Sequence, residues 1–144
     1  MSREPTLAAE DAEDLEFLSA RLQDAVAQVK DLVFLPKKRR FAAIFNRFKW
    51  EAGKRQNLRV RSGLHFDSVL AVRSHRVKRG APDAVVALLA IRFTPKAPDD
   101  PAGTVELVFA GGGSIQLDVE CIDAGLSDAG NVWAARGRPA HHES

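Results

Sequence analysis

The chain has a single cysteine, Cys121, which rules out an intrachain disulfide. Cys121 falls at the end of an apolar alternation, where a buried and inert thiol is expected. No apolar run approaches the ~18 residues of a membrane span. The first residues are acidic and carry no apolar signal segment, so a cytoplasmic protein without membrane contact is expected. There is no zinc-finger spacing, helix-turn-helix or RNA-recognition signature. No nucleophile elbow surrounds Ser62 or Ser114. Nothing in the sequence calls for a metal, a cofactor or a catalytic set. The net charge is only +2 over 144 residues, so bulk charge points to no partner. The scarcity that matters is local: between residues 36 and 62 the only acid is Glu51.

What is present reads as one domain over residues 1–144, with 1–5 and 139–144 flexible. Hydrophobic residues make up 45%, enough for a core. Residues 104–121 give the clearest structural statement. Val105, Leu107 and Phe109 alternate with Thr104, Glu106 and Val108. Ile115, Leu117, Val119 and Cys121 alternate with Gln116, Asp118 and Glu120. Period-2 alternation puts the apolar set on a buried face and the polar set toward water. Gly111, Gly112 and Gly113 supply the turn. A strand and not a helix follows them, so a phosphate-binding loop is the poorer reading.

Residues 11–23 predict one helix. Leu15, Leu18 and Leu22 form its apolar stripe, and Asp11 caps its first turn. Residues 6–8 predict a short edge strand. Residues 25–29 and 32–36 predict a hairpin. Residues 41–50 predict a strand whose parity slips, with Phe41, Ala43 and Phe45 on one side and Phe48 and Trp50 on the other. A β-bulge near Asn46 and Arg47 reconciles the two sets. Leu58, Val60, Leu64 and Phe66 point one way and Arg59, Arg61 and His65 the other. Extended structure follows over 68–77. Residues 84–93 predict a central strand, bounded by Pro82 and Pro95. Residues 123–130 read as turn-rich. The expected fold is α+β and mainly antiparallel β. Seven or eight strands form a curved meander or partly closed barrel, pleckstrin-homology-like in one version, with the helix packed on it.

Several runs carry a resemblance. They are Asp24-Ala25-Val26, Leu35-Pro36-Lys37, Arg40-Phe41-Ala42, Asn46-Arg47-Phe48, Leu64-His65-Phe66 and Val69-Leu70-Ala71-Val72, with Leu88-Leu89-Ala90-Ile91 and the hairpin. Over roughly residues 7–138 the chain resembles an uncharacterised bacterial family, domain of unknown function 2948. The resemblance implies a small cytoplasmic bacterial protein and brings no activity, ligand or site residue.

The functional candidates follow from charge. Lys37, Lys38, Arg39, Arg40, Arg47, Lys49, Arg59 and Arg61 crowd a stretch that also holds Trp50 and Phe48. If the two strands pair, these residues could line one basic face for RNA or a small anion, with aromatics to stack on bases. Cations on strand edges also prevent aggregation, which is the blander account. His65 and Asp67 share strand parity and could form an acid/base pair in a pocket beside that face. The leading expectation is a non-catalytic binding domain whose partner is another protein or a second copy of itself. Val108 and Ile122 support this if they are exposed. RNA or anion binding through the 37–61 face is the alternative, and an enzyme using His65 and Asp67 comes third.

Overall fold

A computed structural model describes residues 7–51 and 54–134. The expectations for residues 1–5 and 139–144 lie outside the described residues. The chain runs through β1 (Leu7–Ala9), α1 (Ala12–Leu22), β2 (Val26–Gln28), β3 (Leu32–Leu35), β4 (Arg40–Glu51) and β5 (Lys54–Phe66). It continues through β6 (Val69–His75), β7 (Val85–Pro95), β8 (Gly103–Phe109), β9 (Ser114–Val119) and β10 (Ala124–Ala134). The ten strands pair antiparallel in the order β1-β10-β5-β4-β2-β7-β8-β9-β6, with β3 beside β4. This is the mainly antiparallel class with one N-terminal helix that the sequence predicts. The strand count is higher than expected, and the sheet does not close, because β1 and β6 end it without pairing.

Its curl has a simple cause. Only Asp67 and Ser68 separate β5 from β6, and two residues span at most about 7 Å. Yet β5 and β6 are six places apart in the strand order. The sheet must bend until they meet at a corner. Val69 N–H there donates to Arg39 O at 2.9 Å, stitching the start of β6 to the chain just before β4.

The concave face holds the core. Phe41, Phe45, Leu64, Phe66, Leu88, Leu107, Phe109, Leu117 and Leu126 are all at most 2% exposed. Helix α1 lies across this face from β1 to β7 and buries Leu15, Leu18 and Leu22. Burying each leucine stabilises by roughly 1.5–3 kcal/mol. Asp11 Oδ1 accepts from Asp14 N–H at 2.8 Å, and Asp14 Oδ2 accepts from Glu10 N–H at 3.1 Å. Two donors at the helix start are thereby satisfied. The Ile91 amide donates to Ser19 Oγ at 2.9 Å and ties α1 to β7.

The β8–β9 hairpin forms as its pattern requires. Val105, Leu107, Phe109, Ile115, Leu117 and Val119 are buried. Gly111 and Gly112 adopt φ of 90° and 98°, a region that side chains disfavour. Cys121 lies beyond β9 and is half-buried, a free thiol.

Three expectations are corrected. First, β2 and β3 do not pair with each other. The 3-10 turn Val29–Asp31 sets them end to end along β4, with Val26 opposite Asn46 and Leu32 opposite Ala43. Second, the bulge expected near Asn46 and Arg47 falls further along β4: the register holds through Phe48↔Arg59 and shifts between Phe48 and Trp50. Third, residues 124–134 form a long strand, β10, inserted between β1 and β5. Gly125 and Ser127 give it poor strand propensity. Pairing on both edges and the burial of Ala124 and Leu126 override that.

On the outer face of β6–β9, Arg73 clamps Asp118 and Gln116, with Nη2 donating to Asp118 Oδ1 at 3.1 Å. Hydrogen bonding to Arg73 holds the Asp118 carboxyl below its usual range, and the same bond raises the Arg73 guanidinium. A carboxylate lowered in the folded state contributes stability that is present above its unfolded value, about pH 4, and lost as pH falls through the lower folded value. Arg73→Gln should therefore reduce stability at pH 7 by under ~1 kcal/mol and shrink the difference at pH 3. Urea midpoints at the two pH values measure it.

Candidate functional site

The β4–β5 pair carries Arg40, Arg47, Lys49, Trp50, Arg59, Arg61 and His65 of the sequence-predicted site residues, and its register sorts them. Phe41, Ala43, Phe45 and Arg47 alternate inward on β4, and Val60, Ser62, Leu64 and Phe66 do so on β5. Arg40, Ala42, Ile44, Asn46 and Phe48 face outward, opposite His65, Gly63, Arg61 and Arg59.

Arg47 therefore sits inside, not on the basic face. Its Nη2 donates to Asp128 Oδ2 at 2.9 Å and to Oδ1 at 3.1 Å, and its Nε donates to Ser62 Oγ at 3.0 Å. The Ser62 hydroxyl donates in turn to Asp128 Oδ1 at 2.7 Å. The Arg47 side chain is 5% exposed and that of Asp128 30%. Three strands contribute, and β10 supplies the acid that neutralises a buried cation. The cluster has no imidazole, and Ser62 is fully buried, so it holds the sheet together and offers no nucleophile.

The remaining cations divide into two groups. Lys37, Lys38 and Arg39 lie on the 3-10 turn Pro36–Lys38 and its cap, with Arg40 opening β4. Arg39 pairs with Glu120 at 3.5 Å. Arg40 holds Asp67 with two donors, at 2.7 and 3.3 Å, and this bond raises its pKa above the ordinary value against the effect of burial. At the opposite end of the pair, Lys49 and Arg61 are exposed. The Arg59 guanidinium lies 4.8 Å from the centre of the Phe48 ring. The Trp50 side chain lies outside the described residues.

His65 and Asp67 do come together on the outer face, with Nε2 3.7 Å from Oδ2. The imidazole rests over Gly125 of β10, where an added Cβ would come within 2.5 Å of His65 Cε1. Asp67 is already committed to Arg40, and the pair lies on an open sheet face. Neither Val108 nor Ile122 is exposed: Val108 is half-buried and Ile122 is buried in the core. Among the described residues no group of three or more His, Cys, Asp or Glu side chains could hold a metal, and no helix is long and apolar enough to cross a membrane.

What sequence reasoning missed is the apolar centre of this face. Val33, Leu35 and Ile44 are exposed by 41%, 38% and 39%. Val33 lies opposite Ala42, Leu35 opposite Arg40 and Ile44 opposite Gly63. A Cβ built on Gly63 meets nothing within 4 Å, so the ground beside Ile44 is flat and open. The signal was available as Ala42, Ile44 and Phe48. They stay outside because the register is unbroken from Phe41 through Phe48.

A family profile described as a protein of unknown function matches residues 6–141. No curated protein and no solved structure matches the chain.

Proposed function

The chain belongs to the DUF2948 family, and we propose that this member is a non-catalytic protein-binding domain that docks an acidic partner on the outer face of β3, β4 and β5. The observation that carries this reading is the cluster of Val33, Leu35 and Ile44, half-open to water across two adjacent strands. Scattered apolar side chains on a surface need no explanation, but neighbours in register form a patch. Cations flank it at both ends: Lys37 and Lys38 at one, Arg61 at the other. Asp67, at the edge of that face, is already held by Arg40. An apolar centre with a charged rim is the anatomy of a protein interface. Two copies of this face would set like charges against each other, so a partner with carboxylates around an apolar patch fits better than a second copy.

A photo-crosslinking residue at Ile44, introduced in cells, tests the reading. The expected result is one discrete heterologous adduct. Gly63→Lys should remove it without harming the fold, since open space surrounds Gly63. Arg61→Glu should weaken it, and a probe at Leu70, exposed on β6, should not form it. An adduct at twice the chain's mass, or equal adducts from Ile44 and Leu70, would sink the proposal.

One observation favours a second reading. Arg59 Nε is buried without a hydrogen-bond partner, beside exposed Arg61 and Lys49. A phosphate of single-stranded RNA would sit against exposed Arg61 while a base stacks at the Arg59–Phe48 end. Fluorescence anisotropy with a labelled oligonucleotide at low salt separates this from the first reading, because Gly63→Lys should leave it untouched.

A further inference from the structure

The unclosed seam of the sheet is itself shaped to hold a small molecule. β3 pairs only with β4, and β6 pairs only with β9, so their other edges face each other across the gap. A cavity of about 280 Å³ lies there. Phe41 and Ile115 form its floor, Leu32 and Phe34 line one side, and Val72 and Val77 the other. The polar groups gather at the rim: Lys30, Arg79 and the Ser74 hydroxyl. The pocket is therefore apolar in its depth and cationic at its mouth.

Neither rim cation is strongly engaged. Lys30 lies 3.6 Å from Asp83, and both side chains are mostly exposed, so the pair contributes little. Arg79 has no ion-pair partner among the described residues. The seam is bounded at both ends. The Val69–Arg39 hydrogen bond closes one, and the loop of residues 76–84 closes the other. There Lys30 N–H donates to Pro82 O at 3.0 Å and Val29 N–H donates to Ala84 O at 2.9 Å. A strand of another protein would have to run through both stitches to add to these edges. A compact ligand entering from outside does not.

We propose that this seam pocket binds an apolar monocarboxylate of medium chain length, its tail against Phe41 and Ile115 and its carboxylate between Lys30 and Arg79. The volume lies at the small end of ligand pockets, which start near ~300 Å³, and so favours a medium chain over a long one. A guanidinium fork and an ammonium at the mouth select the anion over the alcohol or amine of the same tail. The site is separate from the outer-face interface and does not depend on it.

The test is titration of the full chain with octanoate, 1-octanol and octylammonium, followed by calorimetry and by backbone amide shifts. Octanoate should bind with shifts centred on Val72, Ser74 and Val77. Affinity should rise about fourfold per added methylene until the pocket is full. Arg79→Glu, on an exposed loop, should weaken octanoate about tenfold or more while leaving the thermal midpoint unchanged. Ser74→Phe should plug the mouth and abolish binding. Equal affinity for octanol would overturn the anion assignment. Octanoate shifts at Ile44 and Gly63 in place of Val72 and Ser74, or no binding of any probe, would overturn the site. So would an apolar decapeptide that displaces octanoate with shifts along all of β6, because that result means strand addition.

Discussion

Asp128→Ala is expected to cost ~3 kcal/mol, the low end of the range for breaking a buried pair because the aspartate is 30% exposed. The cost arises from what is left behind. Arg47 would stay inside the wall with its guanidinium facing Ser62 and no counter-charge, and a buried cation without a partner is far less favourable than none at all. With a urea slope of ~2 kcal/mol/M the midpoint should fall by about 1.5 M. The complementary experiment replaces the whole cluster at once with Arg47→Met, Ser62→Ala and Asp128→Leu. That triple variant should lie close to the wild type, since a well-packed apolar substitute no longer bears the desolvation of two charges. The contrast between the single and the triple variant is the signature of a buried ion pair. A single-variant cost below ~1 kcal/mol would mean the pair behaves as a surface bridge.

The same cluster explains how far the sequence could be read. Local pattern carried α1, β1, β7, the β8–β9 hairpin and the inward set of β5, because each is written in a few adjacent residues. Arg47 was not legible. Its position continues the inward alternation of Phe41, Ala43 and Phe45, but the opposite parity of Phe48 and Trp50 argues for a bulge beside it. What keeps it inside is Asp128, 81 residues away on a strand that itself reads as a turn. A long-range ion pair leaves no trace in local periodicity. For the same reason the basic stretch 37–61 read as one face. Its parts pair separately with Glu120, Asp67 and Asp128, all distant in sequence. The seam pocket was invisible for a related reason: it depends on β2 and β3 both lying along β4, whereas the chain between them looks like an ordinary hairpin turn.

Phe41→Ala should be at least as damaging, at ~3–4 kcal/mol, within the range for deleting a buried phenylalanine. Phe41 is 2% exposed, faces inward opposite Phe66 on β5 and Phe34 on β3, and forms the pocket floor. Truncation removes the packing of the β3–β4–β5 corner from below. It also deepens a cavity whose floor is apolar, leaving extra space that an apolar ligand tail can fill. Phe41→Leu should cost only about 1 kcal/mol, because most of the volume stays. The exposed Phe17→Ala should stay within ~0.5 kcal/mol, which separates burial from aromatic content. The pocket gives the alanine variant a second readout. A carboxylate with a longer tail than octanoate should now bind it more tightly than the wild type, and at about a hundred times its dissociation constant should restore about 2.7 kcal/mol of stability. Destabilisation without that shift in chain-length preference would leave Phe41 as packing under the sheet corner and remove it from the pocket.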